Sequence, residues 1–136
     1  MIFLDIEEAD AEEYEQNTPE FCLSSMLGFG GDIRGSIELH FPRETAVAIT
    51  SQFLGMDVMQ IDEDVKDAMG ELANMIAGGL KAFFAEKNVK AELAIPTTVI
   101  GKAYSTRSIP GAERVQIYFV CGTGIFLADM KYVCNS

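Results

Sequence analysis

The sequence has no tryptophan, one histidine (His40), four prolines, three cysteines, and only 10 basic residues against 21 acidic ones. A single histidine gives poor support for a metal-binding cluster or a Ser-His-Asp triad. The shortage of Lys and Arg leaves a formal net charge of −11. That charge disfavours nucleic acid as a partner, because phosphate binding needs clustered cations, and an anionic membrane surface for the same reason. No glycine-rich loop carries a lysine to cradle a phosphate. Cys22, Cys121 and Cys134 are odd in number and far apart, which argues against a disulfide scaffold or a zinc site. They read as small buried side chains in a reducing compartment. No apolar run is long enough to cross a bilayer. The opening Met1-Ile2-Phe3-Leu4-Asp5 has no basic residue ahead of its apolar ones, unlike a signal peptide. A cytoplasmic protein is expected.

What is present is a chain of 136 residues, 49% of them apolar, enough for one domain spanning 1–136 with one core. The acid is concentrated at one end: Asp5, Glu7, Glu8, Asp10, Glu12, Glu13, Glu15 and Glu20 all precede the first basic residue, Arg34. Such a run is a solvated edge or loop, or an acidic docking surface for a basic partner. Met1 to Glu8 suits an edge strand and Asp10 to Pro19 a loop or short exposed helix. Phe21 to Phe29 suits a second strand, ended by Gly28, Gly30 and Gly31. Ile33 to Phe41 alternates, with Ile33, Gly35, Ile37, Leu39 and Phe41 on one face and Arg34, Ser36, Glu38 and His40 on the other.

Pro42 can open a helix, because its missing N–H is not needed there. Ala46, Val47, Ile49, Thr50, Phe53 and Leu54 recur at helical spacing, and Gly55 closes the segment. A longer helix is expected from about Asp64 to Glu86, capped by Asp62 or Asp64 and stopped at Asn88. Val89 to Ile95 and Thr97 to Ala103 read as extended around Pro96. Pro110-Gly111 is a turn. Val115 to Cys121 and Ile125 to Tyr132 form a hairpin about Gly122-Thr123-Gly124. The expected fold is α/β in the layered α+β sense, a mainly antiparallel sheet with two main helices packed on it.

At about 100° per residue, Val65, Met69, Leu72, Ile76, Leu80 and Phe83 form the buried stripe of the long helix. Asp67, Glu71, Asn74, Gly78 and Lys81 line the opposite side, at alternating offsets of four and three. Asn is a mediocre helix former, and Gly78 and Gly79 each cost about 1 kcal/mol relative to Ala inside a helix. A bare Gly78 on the exposed row would let another surface approach closely. Taken alone, Glu-x-x-Asn is a very weak pattern, and a simply solvated face with glycines packed on the sheet is the better reading of it.

The segment Asp67-Ala-Met-Gly-Glu71-Leu-Ala-Asn74-Met-Ile-Ala-Gly78-Gly-Leu-Lys-Ala82 resembles the signature helix of the CheX/CheC/FliY phosphatases. That signature runs Asp or Ser, Glu four places on, Asn three further, then Pro after about twenty-two residues. Here Asp67, Glu71 and Asn74 match, and Pro96 follows Asn74 after twenty-one intervening residues. Gly35-Ser-Ile-Glu-Leu-His-Phe-Pro-Arg-Glu-Thr-Ala46 and Pro96-Thr-Thr-Val-Ile-Gly101 extend the likeness to about Gly30–Tyr132. The first helix lacks Glu-x-x-Asn, so the single-copy CheX type fits better than the two-copy CheC type. An N-terminal helix usual in that type has no counterpart in the opening residues.

The resemblance implies a phosphatase that removes the phosphoryl group from the aspartate of a CheY-like chemotaxis response regulator. The regulator would supply the acyl phosphate and a Mg²⁺ ion, and this chain would bind no cofactor or metal of its own. Asn74 would hold a water in line with the phosphorus. Glu71 would pair with the lysine beside the phosphoaspartate, and Asp67 would help fix the docked helix. Gly78 would leave room for the regulator's loops, and Pro96 completes the partner-binding set. The competing reading is a non-catalytic module that binds a regulator or a flagellar-switch component. The resemblance also implies a homodimer joined through the sheets, with Tyr118, Phe126 and Tyr132 available if the C-terminal hairpin is used.

Overall fold

The computed structural model of the chain describes residues 6–9, 20–101, 111–121 and 124–134, with backbone alone at 6–9 and 121. In chain order the elements are β1 (Ile6–Ala9), β2 (Phe21–Gly31), β3 (Ile33–Pro42), α1 (Arg43–Leu54), α2 (Glu63–Glu86), β4 (Ala91–Leu93), β5 (Thr97–Ile100), β6 (Glu113–Cys121) and β7 (Gly124–Cys134). The strands form one seven-stranded sheet in the order β1-β6-β7-β3-β2-β4, with β5 also pairing β2. Every pairing is antiparallel. This is the expected layered fold.

Period-two alternation in β3 puts Ile33, Ile37, Leu39 and Phe41 under the helices, all buried. Leu23, Leu27 and Phe29 of β2 and Phe126 of β7 join them, with the Phe41 and Phe126 rings 5.1 Å apart. From above, the core is closed by Ala46 and Ile49 of α1 and by Val65, Met69, Leu72 and Ala77 of α2. Tight backbone approaches are met by glycine. A Cβ on Gly124 would strike Thr45, whose hydroxyl donates to the Ile125 carbonyl at 2.7 Å and so ties α1 to β7.

The second face of the sheet alternates as the sequence requires, yet it is not solvated where β2, β3 and β7 meet. Glu38, His40 and Asp129 are all buried. Ser24 Oγ and His40 Nδ1 lie 2.7 Å apart across the Ser24↔His40 pair. Arg114 grips Asp129 through Nε and a terminal nitrogen at 3.1 and 2.7 Å, and Gln116 Nε2 adds a bond at 3.3 Å. Burial alone would raise the Asp129 carboxyl, but the Arg114 bonds and charge, with Gln116, hold it below its ordinary value.

Pro42 opens α1 without a side-chain cap, and Gly55 closes it at φ 67° with its N–H on the Ser51 carbonyl at 2.9 Å. The Asp62 carboxylate caps α2, accepting from the Val65 N–H at 3.3 Å. Asn88 ends the helical segment at φ 61°. Asp62→Ala is expected to destabilise the chain by about 1 kcal/mol in urea unfolding. An unchanged midpoint would show that the cap contributes nothing.

Several expectations need correction. Gly28 lies inside β2 rather than ending it. The stretch Val89–Ile95 is strand only at Ala91–Leu93, and β5 stops at Ile100. Phe83 does not belong to the buried stripe: α2 packs chiefly over β2, β4 and β5, and Phe83 lines an open apolar cavity between α2 and Val115, Ile117 and Met130 of the sheet, half exposed beneath the Lys87 ammonium. Tyr118 and Phe126 are buried, the latter in the core, so neither offers a surface for a second copy. Cys134 is exposed rather than buried, and Cys22 is half-buried. The expectations for residues 1–5, 10–19, 102–110, 122 and 123 lie outside the described residues.

Candidate docking groove

The polar row of α2 faces an open groove of about 390 Å³. One bank is helical: Glu63, Lys66, Asp67, Gly70, Glu71 and Asn74. The other is the turn into β5, with Ile95, Pro96 and Thr98. The 3.6-residue period places Asp67, Glu71 and Asn74 in one line, all exposed, because Val65, Ala68, Met69, Leu72 and Ala73 take the buried side. None of the three side chains has a hydrogen bond or ion pair within the described structure. Their amide and carboxylates are therefore available to an external partner.

The second bank is anchored from beneath. Thr98 Oγ1 and Ser25 Oγ lie 2.8 Å apart, fastening β5 to β2. Gly70 faces this strand: a Cβ there would sit 3.5 Å from the Thr98 hydroxyl oxygen, in ordinary contact. Pro96 thus meets the row through the fold, although it is remote in sequence. Ile95 beside it is 89% exposed, an apolar side chain held out at the rim. Three carboxylates (Glu63, Asp67, Glu71) face one ammonium, Lys66, which stands 3.8 Å from Glu63.

Asp67, Glu71, Asn74 and Pro96 are brought together. Gly78 is not in the groove: it continues the row further along α2, exposed, with nothing within 4 Å of a Cβ built on it. Glu63, Lys66, Gly70, Ile95 and Thr98 were not foreseen as groove residues. Gly70 could have been found, since it lies three residues after Asp67 and four before Asn74. Ile95 and Thr98 depend on the path of the strand and carry no local signal.

The site has no nucleophile paired with a base. It is a helix that presents carboxylates and an amide along an open groove. Residues 23–120 match the family described as "Chemotaxis phosphatase CheX", and the chain belongs to that family. A curated relative from Thermotoga maritima, the CheY-P phosphatase CheX, is 34% identical over 87 residues. That match covers 63% of this chain and only 56% of the relative. Among solved structures, the chemotaxis protein CheX from Vibrio vulnificus is similar at a TM-score of 0.80 and 24% identity, covering 96% of this chain and 84% of that one. A CheX-CheY-BeF3-Mg²⁺ complex from Borrelia burgdorferi is similar at 0.72 and 19% identity, covering 96% and 83%. No helix among the described residues is long and apolar enough to cross a membrane.

Proposed function

We propose that this chain is a cytoplasmic phosphatase that removes the phosphoryl group from the aspartate of a CheY-like chemotaxis response regulator. The observation that carries the reading is Asn74, an exposed mid-helix amide with no partner in the described structure, on a row bordered by Pro96. Family membership supports it, as do the Thermotoga maritima relative's name and the composition of the Borrelia burgdorferi complex.

In this mechanism the partner brings the acyl phosphate and its Mg²⁺, and the chain brings geometry. Asn74 enters the partner's active site, and its amide hydrogen-bonds a water and holds it in line with phosphorus. The acyl phosphate is labile, so no strong base is needed. Glu71, one turn back, accepts from the lysine beside the phosphoaspartate in a charge-assisted bond. Asp67 steadies the docked helix, Pro96 borders the site, and Gly78 leaves clearance along the row.

Glu71→Ala is expected to weaken regulator binding by roughly tenfold or more and to lower activity in parallel. Added salt should act in the same direction, more mildly. A titration with phosphorylated regulator that gave the wild-type affinity would remove Glu71 from the interface. A phosphate-release assay tests the reaction itself: binding without acceleration would favour the non-catalytic module.

The assembly is proposed to be a homodimer. β1 and β4 stand at the ends of the sheet, and exposed edges are normally paired, covered or charged. Light scattering at micromolar concentration is expected to give the mass of two chains, and a one-chain mass would exclude the dimer.

A further inference from the structure

Glu38, His40 and Asp129 lie on the sheet face away from the groove, each buried, with one ligating atom apiece inside a span of 4.8 Å. The strand register assembles them: Glu38 pairs Asp129 directly, and His40 is two residues along β3 on the same face. Glu38 is only 2% exposed, yet its Oε1 has no hydrogen-bond partner. A buried carboxylate oxygen left bare is costly, and its usual resolution is an ion or an ordered water.

The second independent observation is the setting of His40. Its Nδ1 is occupied at 2.7 Å by Ser24 Oγ, which fixes the ring and leaves Nε2 toward Glu38. Nε2 and Glu38 Oε2 stand 3.7 Å apart, too far for a hydrogen bond. With Nδ1 protonated and donating to Ser24, Nε2 presents a lone pair to a carboxylate lone pair. In that tautomer the two atoms cannot satisfy each other, and a cation between them would satisfy both. With bonds of about 2.0–2.1 Å to each atom, a 3.7 Å separation gives an angle of about 130° at the ion, a slightly opened tetrahedron. The ligating atoms lie within 4.8 Å of one another, and a pair at that limit must close by about 1.4 Å to reach the ligand spacing of a tetrahedral site.

We propose that Glu38, His40 and Asp129 bind one divalent first-row transition metal ion, with Zn²⁺ as the type. Imidazole with carboxylates suits such ions, and the nitrogen ligand disfavours Mg²⁺. Ser24 is the outer partner that orients the histidine. Asp129 keeps spare acceptor positions beyond those used by Arg114 and Gln116. Arg114 pairs with Asp129 from the exposed side, and its positive charge sets a limit on the affinity.

The test is Zn²⁺ titration of chelator-treated whole chain, by calorimetry or competition with a chromophoric chelator. One ion per chain with a micromolar or tighter Kd is expected, together with a rise in Tm of several degrees. Glu38→Gln and His40→Gln should each weaken binding by about tenfold or more, and Ser24→Ala by about tenfold. Cys22→Ser with Cys134→Ser should leave it unchanged. No binding at submillimolar Zn²⁺, or undiminished binding in the Glu38→Gln and His40→Gln variants, overturns the proposal. Should a variant fail to fold, the wild-type Co²⁺ spectrum decides: a tetrahedral-type visible band without thiolate charge transfer supports the site, and a thiolate band overturns it.

Discussion

Asn74→Ala is expected to remove the acceleration of regulator dephosphorylation, by roughly a hundredfold or more, while the chain stays folded. The size follows from what the amide does: without it the attacking water must find its own line to phosphorus, and small losses of alignment cost about 10²-fold. The fold is spared because Asn74 is exposed and bonded to nothing in the described structure. Alanine is the better helix former by up to about 0.7 kcal/mol, so the unfolding midpoint should hold or rise slightly. Phosphate release from a phosphorylated regulator, measured beside urea unfolding, checks both halves. Wild-type turnover in the variant would refute the role given to Asn74. Lost turnover with lost folding would leave the amide without its claimed independence from structure.

Gly35→Ala should be the most damaging glycine-to-alanine change among the described residues. Gly35 pairs Tyr132 in the β3–β7 ladder, and the bend there aims a Cβ into the Lys131 carbonyl and the Tyr132 Cα of the neighbouring strand. Both obstacles are backbone, so no rotamer change relieves the clash. The central pairing of the sheet must open, at a cost on the order of 4 kcal/mol. Urea unfolding is the measurement. A loss below about 1 kcal/mol would show that β3 and β7 separate easily, contrary to the tight register described.

Much of this architecture could be read from residue order, because its signals are local. Alternation at Ile33–Phe41, Pro42 before α1, Gly55 after it and the Asp62 cap each act within a few residues of themselves. The helical period likewise placed Asp67, Glu71 and Asn74 in one line. What could not be read depends on which strand lies beside which. Glu38 and His40 look like ordinary outward-facing polar residues until β7 brings Asp129 alongside. A lone histidine argues against a metal site only while its partners are sought nearby in sequence. Phe83 keeps the period of the buried stripe, but the apolar cavity it lines beside β6 and β7 is left open. The far bank of the groove, Ile95 and Thr98, is set by the hydroxyl pair linking β5 to β2, which no periodicity encodes.

The side chains of Asp67, Glu71 and Asn74 on α2 share no hydrogen bond or ion pair with the rest of the described chain, while the opposite side of the same helix builds the core. Stability and recognition are therefore written on separate letters of one segment. Substitutions that alter which partner is addressed, at Lys66 or Ile95 for example, need not pass through less foldable intermediates. A lineage carrying this helix can change its client regulator by drift on the outer row while the inner row stays fixed. The same separation makes the helix a graft: its outer face can be rewritten for a new target with no redesign of the protein beneath.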